Sequence, residues 1–271
     1  MAGLPSLGPP WEENESCGFT ASHTTVSIPS PAAAPPPWCA TVLTLFPELF
    51  PGPLAASLCG EALRKARWRL ETVDLRPFGL GRHRNVDDAP AGGGAGMVLR
   101  ADVVGAAIDQ ARAHSPEAEA IYLSPRGERF TQAIAQRLSQ GPGVLLLAGR
   151  FEGIDQRVID ARGLREISIG DYVLAGGELP AMVLIDAVVR LLPGVVGQPL
   201  SLAEESFAAG LLEYPQFTRP REWEGRSIPA ILLSGDHARI ARWRRSEAER
   251  ITQERRPDLW RRRRPAGRED R

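Results

Sequence analysis

The chain has 271 residues, room for one large domain or two modest ones, and 43% of it is apolar, enough for a sizeable core. Its 33 Lys plus Arg balance 33 Asp plus Glu, so the total charge does not point to a polyanion partner. The distribution says more: residues 239–271 carry 13 Arg against 6 acids, a net of +7, whereas residues 1–38 carry 3 Glu and no Lys or Arg.

In chain order, residues 1–38 come first, with 8 of the 24 prolines and no periodic apolar pattern. Such a stretch cannot bury a core, so it is expected to be disordered, either as an extension or as a mis-assigned start. The folded pattern begins near Cys39 and runs to Gly197. Ala40–Phe46, Thr72–Leu75, Ala120–Leu123 and Val144–Ala148 read as buried strands. Leu54–Ala66, Ala101–Ala113 and Phe130–Leu138 read as helices between them, and Ala181–Leu192 as a further helix opened by Pro180 and closed by Pro193-Gly194. This strand–helix rhythm predicts a parallel α/β sheet covered on both faces. Residues 198–209 are polar and read as a flexible linker. Residues 210–271 read as a small helical, basic domain, with Ile240, Trp243 and Ile251 near one face of a helix over 238–255. That basic end is either a solvated helix face or a surface for an anionic polymer.

The chemistry available is narrow. Lys65 is the only lysine, and no G-x-x-x-x-G-K loop is present. Cys17, Cys39 and Cys59 form no C-x-x-C pair, and His23, His83, His114 and His237 are scattered, so no metal site is expected. An odd cysteine count in a chain of this size suggests inert thiols in a reduced, cytoplasmic protein. The most apolar long run, Ala181–Val196, is broken by Asp186 and Arg190 and is too short to span a bilayer, so no membrane association is expected.

Three segments stand out. Arg82-His-Arg-Asn-Val-Asp-Asp-Ala-Pro-Ala-Gly-Gly-Gly-Ala-Gly96 gathers basic groups, two carboxylates and a glycine cluster, but no register of G-x-G-x-x-G fits it. Leu147-Ala-Gly-Arg-Phe-Glu-Gly-Ile-Asp-Gln-Arg157 follows a strand directly, where α/β folds place ligands. Ser168-Ile-Gly-Asp-Tyr-Val-Leu-Ala-Gly-Gly-Glu-Leu-Pro180 alternates apolar residues with Gly and Asp, as backbone shaped around a flat small molecule would. Taken singly, the first segment is also compatible with a flexible surface loop, and the second and third with a tight turn or a helix cap.

Together these segments resemble the signature stretches of the bacterial tRNA (guanine-N1)-methyltransferases of the SPOUT superfamily. Leu45-Phe-Pro-Glu-Leu-Phe50, Tyr122-Leu-Ser-Pro125, Pro193-Gly-Val-Val-Gly197, Tyr214-Pro-Gln-Phe-Thr-Arg-Pro220 and Leu232-Leu-Ser-Gly-Asp-His-Ala238 match in the same order. The resemblance runs from about Thr41 to Leu259 and implies a parallel α/β domain, 39–197, whose C-terminal part is a trefoil knot, followed by the linker and a tRNA-binding domain. Knots are so rare that periodicity could not have predicted one.

The resemblance further implies S-adenosylmethionine as cofactor, held by Tyr122, Leu123, Ser124 and Pro125; by Gly149, Glu152 and Gly153; and by Ile169, Gly170, Asp171, Tyr172, Val173, Leu174, Gly176, Gly177 and Pro180. It leaves open a part for Mg2+. The reaction implied is methylation of N1 of guanosine 37 in tRNA, beside the anticodon, by a homodimer with its active site at the subunit interface. Catalytic roles fall on Glu205 as base and on Arg190 at the guanine O6; Asp87, Arg190 and Ser206 would contact the substrate. Glu205 stands where the family usually has aspartate, Ala91 and Ala95 where Tyr and Pro are common, and Gln216 where a histidine often stands. The alternatives are a SPOUT enzyme acting on another RNA and a non-catalytic RNA-binding relative.

Overall fold

The computed structural model describes residues 36–197, 205–207 and 209–263. The expected disorder of residues 1–35 and most of the expected linker lie outside these residues. At the centre are five parallel strands in the order β2-β1-β6-β5-β7. β1 is Trp38–Thr44, β2 Trp68–Asp74, β5 Glu119–Arg129, β6 Gly143–Ala148 and β7 Arg165–Ser168. The short strands β3 (Asp87–Asp88) and β4 (Val98–Leu99) pair with each other, as do β8 (Glu222–Trp223) and β9 (Arg226–Ser227).

The period of two along each strand divides the core between two faces. Ala40, Val42, Ile121, Leu123, Val144 and Leu146 pack on one side with residues of helices α1 (Ser57–Arg64), α3 (Gln132–Ser139) and α5 (Glu178–Val189). Leu43, Ala120, Tyr122, Leu145 and Leu147 pack on the other with α2 (Ala101–His114) and α4 (Gln156–Arg162). Strands buried on both faces are why the sequence shows continuous apolar runs there and not alternation.

The folded sheet begins one residue earlier than the sequence boundary at Cys39. Trp38 belongs to β1, is buried, and its indole N–H donates to the Leu138 carbonyl at 3.0 Å. α5 also begins earlier than the sequence suggests, at Glu178. Pro180 sits in its first turn, where the missing N–H has no intrahelical partner to lose.

β5 runs well past Leu123. It pairs with β7 through Ile121–Leu123 and again through Glu128–Arg129, with an irregularity between. Ile167 pairs on both sides of that irregularity, so Ser124 to Gly127 are extruded beyond the sheet edge. Sequence reasoning missed β7 and α4, both too short to show a period. The side chain of Asp155 caps α4 by accepting from the Arg157 N–H at 2.9 Å.

Beyond residue 209 lie the β8–β9 hairpin, the helix His237–Arg255 and a shorter helix Pro257–Arg263. The long helix is mostly exposed; Ala248, Ile251 and Thr252 are its buried residues. No helix of the described residues is long and apolar enough to cross a membrane.

Candidate active site

Beyond the carboxyl ends of β5, β6 and β7 lies a cavity of about 360 Å³. Three chain segments form it: the extruded part of β5, the loop after β6, and the loop from β7 to α5. Tyr122, Leu123, Ser124, Pro125, Gly149, Glu152, Gly153, Ile169, Gly170, Tyr172, Val173, Leu174, Gly176, Gly177 and Pro180 all line it. Asp171, expected with them, does not; its largely exposed carboxylate pairs with Arg129 at 2.9 Å.

The loops are tied together by backbone. The Gly177 N–H donates to the Gly149 carbonyl at 2.9 Å. Gly177 passes so close to β6 that a Cβ there would lie 2.6 Å from the Ala148 Cα, so no other residue fits. Tyr122 is buried under the floor, and burial pushes its hydroxyl pKa up. The first motif joins this wall too. The Glu152 N–H donates to the Met97 carbonyl and the Leu99 N–H to the Gly153 carbonyl, both at 2.9 Å. Gly96 packs against the Glu152 side chain, which sets this acid at the cavity rim.

Sequence reasoning passed over a cluster beneath the cavity. Glu178, the first residue of α5, is 2% exposed. Its Oε1 accepts from the Thr44 hydroxyl at 2.8 Å and from the Arg150 Nε at 3.2 Å, and Nη2 of Arg150 lies 3.0 Å from Oε2. Arg150 lines the cavity, lies 4.3 Å above the Phe46 ring and donates to the Ala175 carbonyl at 3.2 Å. Both charged residues fall inside motifs noticed in the sequence, but nothing local signals that they pair.

The expected catalytic pair is elsewhere in the chain. Arg190 closes α5, twelve residues beyond Glu178, which at 1.5 Å per residue is about 18 Å along the helix. Arg190 holds Glu205 through two hydrogen bonds, Nη1 to Oε2 at 2.7 Å and Nη2 to Oε1 at 2.6 Å. These bonds hold the Glu205 carboxyl below its ordinary pKa and raise that of Arg190. Ser206 accepts from the Glu213 N–H at 3.0 Å. Asp87 sits in β3, opposite Leu99. Within one chain none of Asp87, Arg190, Glu205 and Ser206 lines the cavity.

Exposed apolar side chains surround the cavity mouth and continue along α5: Phe151, Tyr172, Val173, Leu179 and Val183. Val173 is 83% exposed. The cysteines Cys39 and Cys59 are buried; burial, with Asp186 nearby, pushes the Cys59 thiol up to about 11, so it stays protonated and unreactive at neutral pH. Among the described residues, no group of three or more His, Cys, Asp or Glu side chains is placed to hold a metal ion.

The fold and the cavity define an α/β protein of the parallel-sheet class, with its cleft beyond the carboxyl ends of the strands, where such folds bind small ligands. The sequence model of the family described as tRNA (Guanine-1)-methyltransferase TrmD matches residues 39–262. A tRNA (guanine-N(1)-)-methyltransferase of Nitrobacter winogradskyi is 65% identical over 223 residues, 82% of this chain and 93% of that protein. One from Cereibacter sphaeroides is 61% identical over 228 residues, covering 83% and 92% of the two chains. One from Ruegeria is 59% identical over 224 residues, covering 82% and 92%. The chain belongs to the tRNA (guanine-N1)-methyltransferase family.

Proposed function

We propose that the protein methylates N1 of guanosine 37 in tRNA, taking the methyl group from S-adenosylmethionine, and that it does so as a homodimer. The observation that carries this is the cavity beyond the carboxyl ends of the strands, lined by three family loops. Its 360 Å³ falls within the roughly 300–1,000 Å³ of small-molecule sites. Leu123, Ile154, Ile167, Leu174 and Pro180 supply apolar walls for a flat base, and the glycine loops bring bare backbone within reach of polar edges. Glu152 supplies a carboxylate at the rim for a positively charged group. These residues fit S-adenosylmethionine, and the trefoil knot of the family is the fold proposed for the loops that hold it. When bound, that cofactor supplies an electrophilic methyl on a sulfonium.

Guanine N1 carries a proton and attacks only once that proton leaves. Glu205 is the proposed base and Arg190 the cation that stabilises charge appearing on O6. Arg190 keeps Glu205 ionised, but a carboxylate held by two short hydrogen bonds is a weak base. Arrival of the guanine therefore has to draw Arg190 off Glu205 toward O6, which raises the basicity of Glu205 as the proton becomes available. The distance of about 18 Å along α5 and the apolar rim of the cavity support a site completed by a second subunit.

Arginines without a carboxylate partner among the described residues, such as Arg239, Arg242, Arg255 and Arg262, are proposed to hold tRNA phosphates. Their neighbours Arg245, Arg250, Arg256 and Arg263 are paired with acids nearby. The test is methyl transfer to two tRNA transcripts that differ at position 37. The G37 transcript is expected to be methylated and the A37 transcript not. Equal labelling of both, or methylation of ribosomal RNA alone, overturns the assignment.

A further inference from the structure

We propose that Glu178 is a positioning residue for the cofactor site: its buried carboxylate locks Arg150, and through Arg150 it holds two cavity loops at the spacing that binding requires. The inference rests on the cofactor reading above.

The cluster ties three chain segments together. The Thr44 hydroxyl, at the end of β1, accepts from the Phe46 N–H at 2.9 Å and donates to Oε1 of Glu178 at 2.8 Å. Glu178 accepts from Nε of Arg150 and forms an ion pair with Nη2, and the guanidinium lies over the Phe46 ring. The remaining nitrogen of the guanidinium is used as well, with Nη1 donating to the Ala175 carbonyl. A single arginine therefore bridges the ends of β1 and β6 and the loop before α5.

A merely structural salt bridge would not need this arrangement. A buried carboxylate is expensive to keep ionised and is retained where its partners satisfy it fully. Among the described residues satisfaction is incomplete: Nη2 lies 3.0 Å from Oε2 but makes no hydrogen bond to it, and Oε2 has no other partner. That oxygen faces Gly176, where a Cβ would come within 2.6 Å of it and 2.3 Å of the Arg150 Nε. The cavity-lining segment Ala175–Gly177 thus lies directly on the Glu178–Arg150 pair. Two features hold the loop at its height: the backbone bond from Gly177 to Gly149 and this pair. Glu178 also opens α5, where its negative charge is favoured by the helix N-terminus.

The test is calorimetric titration of the full chain with S-adenosylmethionine, for the parent, Glu178→Gln, Arg150→Met and the double variant. Each single variant is expected to bind about tenfold more weakly or worse. The double variant is expected to be no weaker than the poorer single one, a coupling of about tenfold, as for side chains acting as one unit. In methyl transfer the loss is expected in the cofactor KM more than in kcat. Thermal melting without cofactor separates this from lost stability, since a purely structural role lowers the melting temperature and leaves the affinity of the folded protein unchanged. Unchanged affinity in Glu178→Gln, or additive losses in the double variant, overturns the proposal. If Glu178→Gln does not fold, Thr44→Val removes only one donor and is expected to weaken binding several-fold; parent-like binding there overturns the proposal equally. A parent chain that binds no cofactor would sink the cofactor reading itself, a result distinct from all of these.

Discussion

The two ends of α5 each carry an arginine–glutamate pair, and the pairs are built for opposite purposes. At the N-terminal end Glu178 is almost wholly buried and Arg150 is packed against a ring and two loops. At the C-terminal end Arg190 and Glu205 meet in a clean two-bond geometry, yet their side chains remain 35% and 30% exposed. The signs agree with the helix dipole at both ends: carboxylate at the start, guanidinium at the finish. Burial separates them. Separating the first pair would strand the Glu178 carboxylate, which is 2% exposed, so that pair is part of the scaffold. A half-exposed pair can exchange a partner for water or for a base, so the second is free to open. One helix thus joins a fixed wall of the cavity to a movable pair at its far end.

The largest effect is expected at the movable end. Glu205→Gln keeps the shape and one hydrogen-bonding edge but cannot take a proton, so single-turnover methylation at saturating tRNA is expected to fall by roughly 10²–10⁴. Glu205→Asp is expected to remain active. A Glu205→Gln protein within a few-fold of the parent would mean that the proton leaves by another route.

At the fixed end, Gly176→Val and Gly177→Val should part company. Valine at 176 meets side chains and no backbone, those of Arg150 and Glu178, so it forces the locked pair out of place and cofactor binding is expected to be lost while the sheet and tRNA binding survive. Valine at 177 meets β6 backbone, which cannot yield, so stability itself is expected to fall by roughly 1–3 kcal/mol. Calorimetry and thermal melting read the two outcomes. Parent-like cofactor affinity in Gly176→Val would show that the wall at this point is not part of the site.

A smaller effect is expected from removing residues 261–271. The plot of log affinity for tRNA against log salt should become shallower by roughly 0.7–0.9 for each phosphate that the shortened chain leaves unneutralised. An unchanged slope would mean that those arginines neutralise no phosphate.

The smallest concerns pH. Arg190 holds the folded-state pKa of Glu205 below its ordinary value of 4.5. The stability contributed by the pair is therefore complete above about pH 4.5 and lost as pH falls through the lower folded value. The melting-temperature gap between parent and Glu205→Gln should narrow as the pH is taken from neutral to below 4.5. A gap constant across that range would show that the pair is already open in the free protein.

Much of this was legible in the sequence for a clear reason. Strands such as Val144–Ala148 are buried on both faces and must be apolar throughout. Two of the three loops carry Gly149, Gly176 and Gly177, where close approaches exclude side chains, and Gly153, whose φ of +117° favours glycine. Such constraints act on neighbouring residues, so they leave a local pattern. The expected cofactor residues came together for the same reason, save Asp171, whose carboxylate found Arg129. Short elements such as β7 and α4 left no period to read. What the sequence by itself determined was the parallel α/β class, the family and the loops of the cavity. Only the tertiary structure decided that Glu178 and Arg150, 28 residues apart, share a buried bond with Thr44, and that Arg190 clasps Glu205 a helix length from the cavity. Those pairings depend on where the ends of separate elements arrive in space, and no local preference of a residue records that.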